Sequence, residues 1–120
     1  IDQFPWGSQW PPSNGAGNYT GEETGSEVAI KGYRDGFQYT APVASFPANE
    51  RGLFDLGGNV WEWCLDSWNV RAKSKVLRGG SWYNGSLQVA LLSSCRIHSL
   101  PDRESDAYGF RIVKVTPPKK

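Results

Sequence analysis

Methionine is missing from this 120-residue chain, histidine occurs once and cysteine twice, and the formal charge is only +1. So small a charge, with no basic stripe ahead of Lys119-Lys120, gives no electrostatic reason to favour nucleic acid or anionic lipid as a partner. No apolar run approaches the roughly 20 residues of a membrane span and no signal-peptide core is present, which predicts a soluble chain. With Ile at position 1 and no Met, the numbering is expected to begin inside a longer precursor or after a removed leader. Cys64 and Cys95 could form one bridge; two buried thiols acting as small hydrophobes are the expectation. His98 has Ser, Asp and Cys within ten residues, as any short polar loop does. It is therefore expected to be a bystander or a ligand contact rather than a general base.

Helix-forming Ala-Leu-Glu-Lys composition is also sparse. In its place stand 14 Gly, 8 Pro, 6 Trp, 5 Tyr and 5 Phe, which predicts one small domain rich in loops and aromatics. Residues 1–26, with Pro5, Pro11 and Pro12 around Trp6 and Trp10, read as an ordered loop pinned by its tryptophans. Residues 27–34 suit a short helical turn that Asp35-Gly36 ends. Weak alternation over 39–46, with Pro42 inside it, suits an edge strand. Residues 60–68 mix β-branched and aromatic types between glycine turns and are predicted as a strand. So are 75–78 and 110–115, the last stopped by Thr116-Pro117-Pro118. The sheet is expected to be antiparallel. Residues 83–108 show no sustained period apart from the short apolar run 89–92.

Three motifs stand in order: Gly52-Leu53-Phe54-Asp55-Leu56-Gly57-Gly58-Asn59-Val60-Trp61-Glu62-Trp63, then Leu77-Arg78-Gly79-Gly80-Ser81-Trp82, then Pro101-Asp102 ahead of Gly109-Phe110-Arg111. Together, over a span from Trp6 to Arg111, they resemble the formylglycine-generating enzyme (sulfatase-modifying factor) domain. The resemblance implies an α+β, C-type lectin-like fold that is loop-rich, with a small antiparallel sheet and little helix. The family domain carries further strands and helices ahead of this stretch, so the chain is expected to correspond to its C-terminal portion or to a minimal version. The family includes non-catalytic members such as the variable proteins of diversity-generating retroelements.

In the enzymes, two reactive cysteines between the Arg-Gly-Gly-Ser and Gly-Phe-Arg motifs bind copper and activate oxygen, thiolates being the ligands a soft cuprous ion prefers. Here the corresponding stretch, residues 83–91, has no cysteine, and Cys64 and Cys95 occupy no matching position. A non-catalytic chain without copper is the expectation. The alternative is a copper oxidase or other enzyme whose chemistry another segment or a partner supplies. Glu62 and Asp66, on one face of a predicted strand, would lie about 13 Å apart, too far for a retaining glycosidase pair.

The resemblance further implies two structural calcium sites. The first takes Asp55 and Glu62 by side chain with Gly58 and Val60 by carbonyl. The second takes Asn18 and Asp35 by side chain with Tyr19 and Phe37 by carbonyl. Oxygen donors of these kinds are what a hard cation takes. The alternative for the first loop keeps Asp55 as a cap of the Gly57-Gly58 turn and pairs Glu62 with Arg78 or Arg111.

On a rigid scaffold, function is expected on the least patterned segment, 83–108. Its candidate contact residues are Tyr83, Asn84, Ser86, Leu87, Gln88, Ile97, His98, Ser99, Leu100, Arg103, Ser105, Asp106, Ala107 and Tyr108. They mix aromatic, aliphatic and polar types without charge bias, as a paratope does, which points to a protein or other macromolecular ligand. Retroelements randomise adenines in Asn codons and so exclude Trp, Met, Lys, Gln and Glu. Only Gln88 and Glu104 break that set, 2 of 26 positions, where chain-wide usage would give about five. Display outside the cell, on a virion or cell surface, would go with such diversification. An ordinary surface loop of such a domain is the competing account. The Glu-Pro-Asn type tripeptide of calcium-dependent sugar sites is absent, so sugar binding is not implied by the fold.

Overall fold

The computed structural model describes residues 3–116. The proline stop at Pro117-Pro118 and the Lys119-Lys120 pair lie outside the described residues. Two of the predicted strands form where the sequence puts them: β1 is Trp61–Ser67 and β2 is Lys75–Arg78. Their aromatic and β-branched residues pair as an antiparallel hairpin, Glu62 opposite Arg78 and Trp63 opposite Leu77. Two further strands come from the stretch without a period, β3 (Ile97–Ser99) and β4 (Tyr108–Gly109), giving the order β3-β2-β1-β4.

The sheet is mixed, not antiparallel throughout. β3 runs antiparallel to β2 with Val76 opposite His98, but β4 runs parallel to β1 with Trp61 opposite Tyr108. The connection from β3 must carry the chain from one edge of the sheet to the other, and it arrives pointing the same way as β1. Residues 110–115 are not a strand. Phe110, Ile112, Val113 and Val115 are exposed, with no neighbouring strand among the described residues. Strand propensity is realised only against a partner and a packed face.

Residues 39–46 form turns rather than an edge strand, with Ala44 at φ 61 and the Ser45 N–H donating to the Pro42 carbonyl at 3.3 Å. The expected helical turn at 27–34 is absent; a 3₁₀ turn forms earlier, at Glu22–Thr24, and a second at Gln88–Leu91. That second turn accounts for most of the apolar run at 89–92, whose Leu91 is buried.

Tyr19, Ile30, Tyr33 and Leu91 form the core, with Phe4, Trp6, Trp10 and Ala16 packed against it. Trp6 stacks on Phe4 at 4.7 Å and meets Tyr19 edge-on at 5.0 Å. The N-terminal loop is thus pinned by its tryptophans, as expected. Burying such rings stabilises the fold by about 1.5–3 kcal/mol each, which matters where helix is almost absent. The Tyr33 hydroxyl, buried among them, donates to the Gly17 carbonyl and accepts the Gly17 N–H, so its polar end is satisfied. Cys64 and Cys95 are free thiols, half-buried rather than buried.

Candidate functional site

The frame behind residues 83–108 is tied at Asn59. This residue is 7% exposed and sits at φ 60, a left-handed conformation that Asn tolerates better than most side chains. Its Oδ1 accepts the Ala41 N–H at 3.0 Å and its Nδ2 donates to the Ala41 carbonyl at 3.1 Å. Its own N–H donates to the Asn18 carbonyl, and its carbonyl accepts the Trp82 N–H, both at 2.8 Å. One residue therefore joins three stretches of chain that are remote in sequence.

The start of the segment is equally fixed. The Asn84 Oδ1 accepts the Ser81 N–H at 2.8 Å and the Ser81 hydroxyl at 3.0 Å. Its carbonyl accepts the Thr20 N–H at 3.1 Å, and the Ser86 N–H donates to the Val28 carbonyl at 2.8 Å. Asn84 is thus a fastener, whereas the sequence placed it among the ligand contacts.

Among the other candidates, Tyr83, Ser86, Leu87, Gln88, His98, Leu100, Arg103, Ser105 and Asp106 are exposed, and Ile97, Ser99, Ala107 and Tyr108 are half-buried. The half-buried ones serve the sheet. Ile97 and Ser99 flank the exposed His98 on β3, as period-2 alternation requires. The Ala107 carbonyl accepts the Trp61 N–H at 2.7 Å, and Tyr108 meets Trp63 edge-on at 5.6 Å.

The exposed residues do not form one patch, because β3 and β4 are opposite edges of the sheet, about 14 Å apart at ordinary strand spacing. On the β3 side, His98 lies 4.5 Å from Trp68, and the Arg96 guanidinium sits 4.3 Å over the same ring. On the other side, Trp82 meets Tyr39 and Tyr83 edge-on at 5.4 and 5.6 Å, and its Nε1 donates to the Asp106 carbonyl at 3.3 Å. Beside these aromatics is a shallow cavity of about 260 Å³ lined also by Thr24, Ser26, Val28 and Gln38.

Tyr39, 61% exposed, is missing from the sequence-derived set. It reaches the site through its carbonyl, which accepts the Asn18 Nδ2–H at 2.8 Å; no local pattern signals a bond across that separation. A larger groove of about 1420 Å³, lined by Leu53, Leu56, Trp63, Leu65, Phe110 and Val113, takes in none of Tyr83, Ser86 or Leu87.

The two implied calcium loops differ. In the second, the Asn18 Oδ1 is buried without a hydrogen-bond partner, although Asn18 is 1% exposed. A buried orphan acceptor is costly unless a proton donor or cation meets it. Asp35 accepts the Tyr19 N–H at 2.7 Å and the Phe37 N–H at 2.8 Å. Glu23, absent from the sequence-derived set, accepts the Asp35 and Gly36 N–H groups at 2.8 and 3.0 Å and keeps its Oε2 buried without a partner. Burial pushes the Asp35 carboxyl up to about 6, the two backbone donors oppose this, and contact with Glu23 adds to the rise. Burial also acts upward on Glu23, but the backbone donors and the side-chain contact with Asp35 outweigh it and hold its carboxyl below the usual range. The Asp35 and Glu23 carboxylates, in contact with each other, are donors of the kind a cation takes, and the orphan Asn18 Oδ1 is a further oxygen on the residue next to Tyr19, whose N–H Asp35 accepts.

In the first loop, the Asp55 Oδ2 accepts the Ala44 N–H at 2.7 Å, so Asp55 fastens the 42–45 turn rather than Gly57-Gly58. Both oxygens of Glu62 accept from Arg111, through Nε and Nη2. That pairing with Glu62 raises the guanidinium pKa above its ordinary value. Each Glu62 oxygen is already engaged by the guanidinium, so a metal at Glu62 would have to displace Arg111 or share the carboxylate with it, and the loop as it stands does not fit the calcium implied for it.

Residues 2–116 match the family model of the sulfatase-modifying factor enzyme 1-like domain. The bovine (Bos taurus) inactive C-alpha-formylglycine-generating enzyme 2 is 36% identical over 113 residues, covering 90% of this chain and 36% of its own. The mouse (Mus musculus) formylglycine-generating enzyme is 33% identical over 123 residues, covering 90% and 32%. The chain thus spans about a third of the length of these relatives. Among solved structures, PvdO from Pseudomonas aeruginosa superposes with a TM-score of 0.66 at 26% identity, over 89% of this chain and 42% of its own. Treponema denticola variable protein 1 superposes at 0.55 and 24% identity, over 83% and 40%. The fold is accordingly the loop-rich, C-type lectin-like class, with 3₁₀ turns as its only helix among the described residues.

Proposed function

Because the chain belongs to the sulfatase-modifying factor enzyme 1-like domain family, we propose that it keeps the family scaffold and uses it to bind a protein ligand without catalysis. The contrast inside the segment after Trp82 carries this. Asn84, Gly85 and Leu91 are locked into the frame, while Tyr83 and Leu87, each 67% exposed, stand out from it with Ser86. Exposed aromatic and aliphatic side chains on a rigid backbone cost little entropy to bury against a partner. Tyr39, Trp82 and Tyr83, around their shallow cavity, are the anchors, as aromatic clusters are in protein interfaces.

The copper-oxidase alternative needs two thiolates between Ser81 and Gly109. Residues 83–91 hold none, and burial pushes the Cys95 thiol up against the opposing pull of Arg78, so it supplies little thiolate. The inactive relative is compatible with the non-catalytic account. Calcium, where bound, is held by Asn18, Asp35 and the Tyr19 and Phe37 carbonyls, with Glu23 beside them; it would neutralise the facing carboxylates and brace the loop that carries Tyr39.

Randomising Tyr83, Ser86, Leu87, Arg103 and Ser105 together in a surface-displayed library tests the binding account. Most members should display at the level of the parent, since exposed positions shift stability by only about ±0.5 kcal/mol each, and selection against one folded protein should yield binders. Collapse of display across the library overturns the account. The narrower version is a retroelement-diversified variable protein. It requires a template repeat matching the codons for 83–108 near a reverse-transcriptase gene, and a source genome lacking one removes that version alone.

A further inference from the structure

We propose that Arg111 is the built-in cation of the 53–62 loop, which for that reason takes no calcium. Its Nε and Nη2 meet the two oxygens of Glu62, its Nη1 donates to the Phe54 carbonyl at 3.1 Å, and its Nη2 donates to the Asp55 carbonyl at 3.0 Å. A carboxylate and converging backbone carbonyls are the donor set of a hard cation. Here a planar, forked guanidinium satisfies them.

The pair is partly withdrawn from water, the side chains of Arg111 and Glu62 being 34% and 23% exposed. A calcium ion brought to Glu62 would therefore face a second positive charge at close range in a poorly screening environment. The other carboxylate of the loop, Asp55, accepts the Ala44 N–H through one oxygen and lies in the field of the same guanidinium, so calcium brought to its second oxygen would meet the same positive charge.

The bond also has a mechanical role. Arg111 lies two residues beyond Gly109, the end of β4, so the clamp fastens the last strand to the turn that precedes β1. A metal would hold the turn alone. A guanidinium carried on the chain holds the turn and the strand together.

Calorimetric titration with calcium chloride, on the wild-type protein and three variants, tests the proposal. Wild type should bind at one site at most, and Glu62→Gln should keep whatever affinity wild type shows within about twofold. Asp35→Asn should abolish binding at the other loop. Arg111→Gln, with Glu62 retained, should gain a new calcium site and a calcium-dependent rise of about 5 °C in Tm. Two sites in wild type, or a site lost in Glu62→Gln, overturns the proposal. Should Arg111→Gln fail to fold, the wild-type and Glu62→Gln titrations decide by themselves. Wild type binding no calcium upholds the role of Arg111 while sinking the Asn18/Asp35 site, so the two readings fail separately.

Discussion

Gly85→Ala should destabilise the domain by at least about 3 kcal/mol, the upper range for forcing one methyl into a packed site. A Cβ at residue 85 would lie 1.9 Å from the Val28 carbonyl oxygen, 2.9 Å from its carbon and 3.1 Å from the Thr20 Cβ. The two nearest atoms are backbone, which cannot rotate away as a flexible side chain could. Moving that backbone breaks the Ser86 N–H bond to the Val28 carbonyl, and strains the Thr20 bonds to Asn84 and Ile30. Both ends of the contact belong to the junction between the core loop and the segment proposed to bind, so on that proposal the damage should reach function as well as stability. Thermal unfolding should show a Tm fall of about 10 °C or more. A variant melting within 2 °C of wild type, an order-of-magnitude reading of "no effect", would mean that the 83–86 anchor is not as drawn.

Asn59→Ala should cost about 3–7 kcal/mol, and for a different reason. It leaves the N–H and C=O of Ala41 without their side-chain partner, and Ala41 is 8% exposed. An unsatisfied buried polar group costs about 1–3 kcal/mol. The φ of 60 adds about 1 kcal/mol for an alanine. Asn59→Gly relieves that backbone strain and nothing else, so it should sit about 1 kcal/mol above the alanine variant. Asn59→Asp should be no rescue, since it turns an oxygen toward the Ala41 carbonyl where an N–H now donates. Chemical denaturation of the three variants separates the two causes. Equal stability of Ala and wild type would show that the side-chain amide is not what holds Asn59 to the stretch at Ala41.

These two positions also show what could be read in the chain before its structure. β1 and β2 were legible because aromatic and β-branched residues stand between glycine turns, a local signal. Residues 110–115 are rich in the same residue types yet pair with no strand among the described residues, because a strand is a property of two segments. β4 is two residues long and parallel to β1, and neither fact leaves a mark on sequence periodicity. Asn84 looked like a contact residue because its side chain is polar and its segment lacks a pattern. Its bonds to Ser81 make it part of the frame. Tyr39 is the converse case: it sits in a stretch whose alternation suits an edge strand, and its ring meets Trp82 across a sequence separation that no local pattern signals. The Glu62–Arg111 pair was one of two alternatives open in the sequence, and the parallel placement of β4 decides it by bringing Gly109 beside Glu62. The glycine and tryptophan motifs thus specify a frame, and the residues with the least pattern are divided between fasteners and exposed side chains.

The central claim, a family scaffold used for binding without the family oxidation, is tested most directly by incubating the protein with cuprous ion, oxygen and a cysteine-containing sulfatase peptide. Mass spectrometry then follows the peptide. The peptide should leave with its cysteine intact, as in a copper-only control. Aldehyde formed above that control, together with tight cuprous binding, would contradict the non-catalytic account outright.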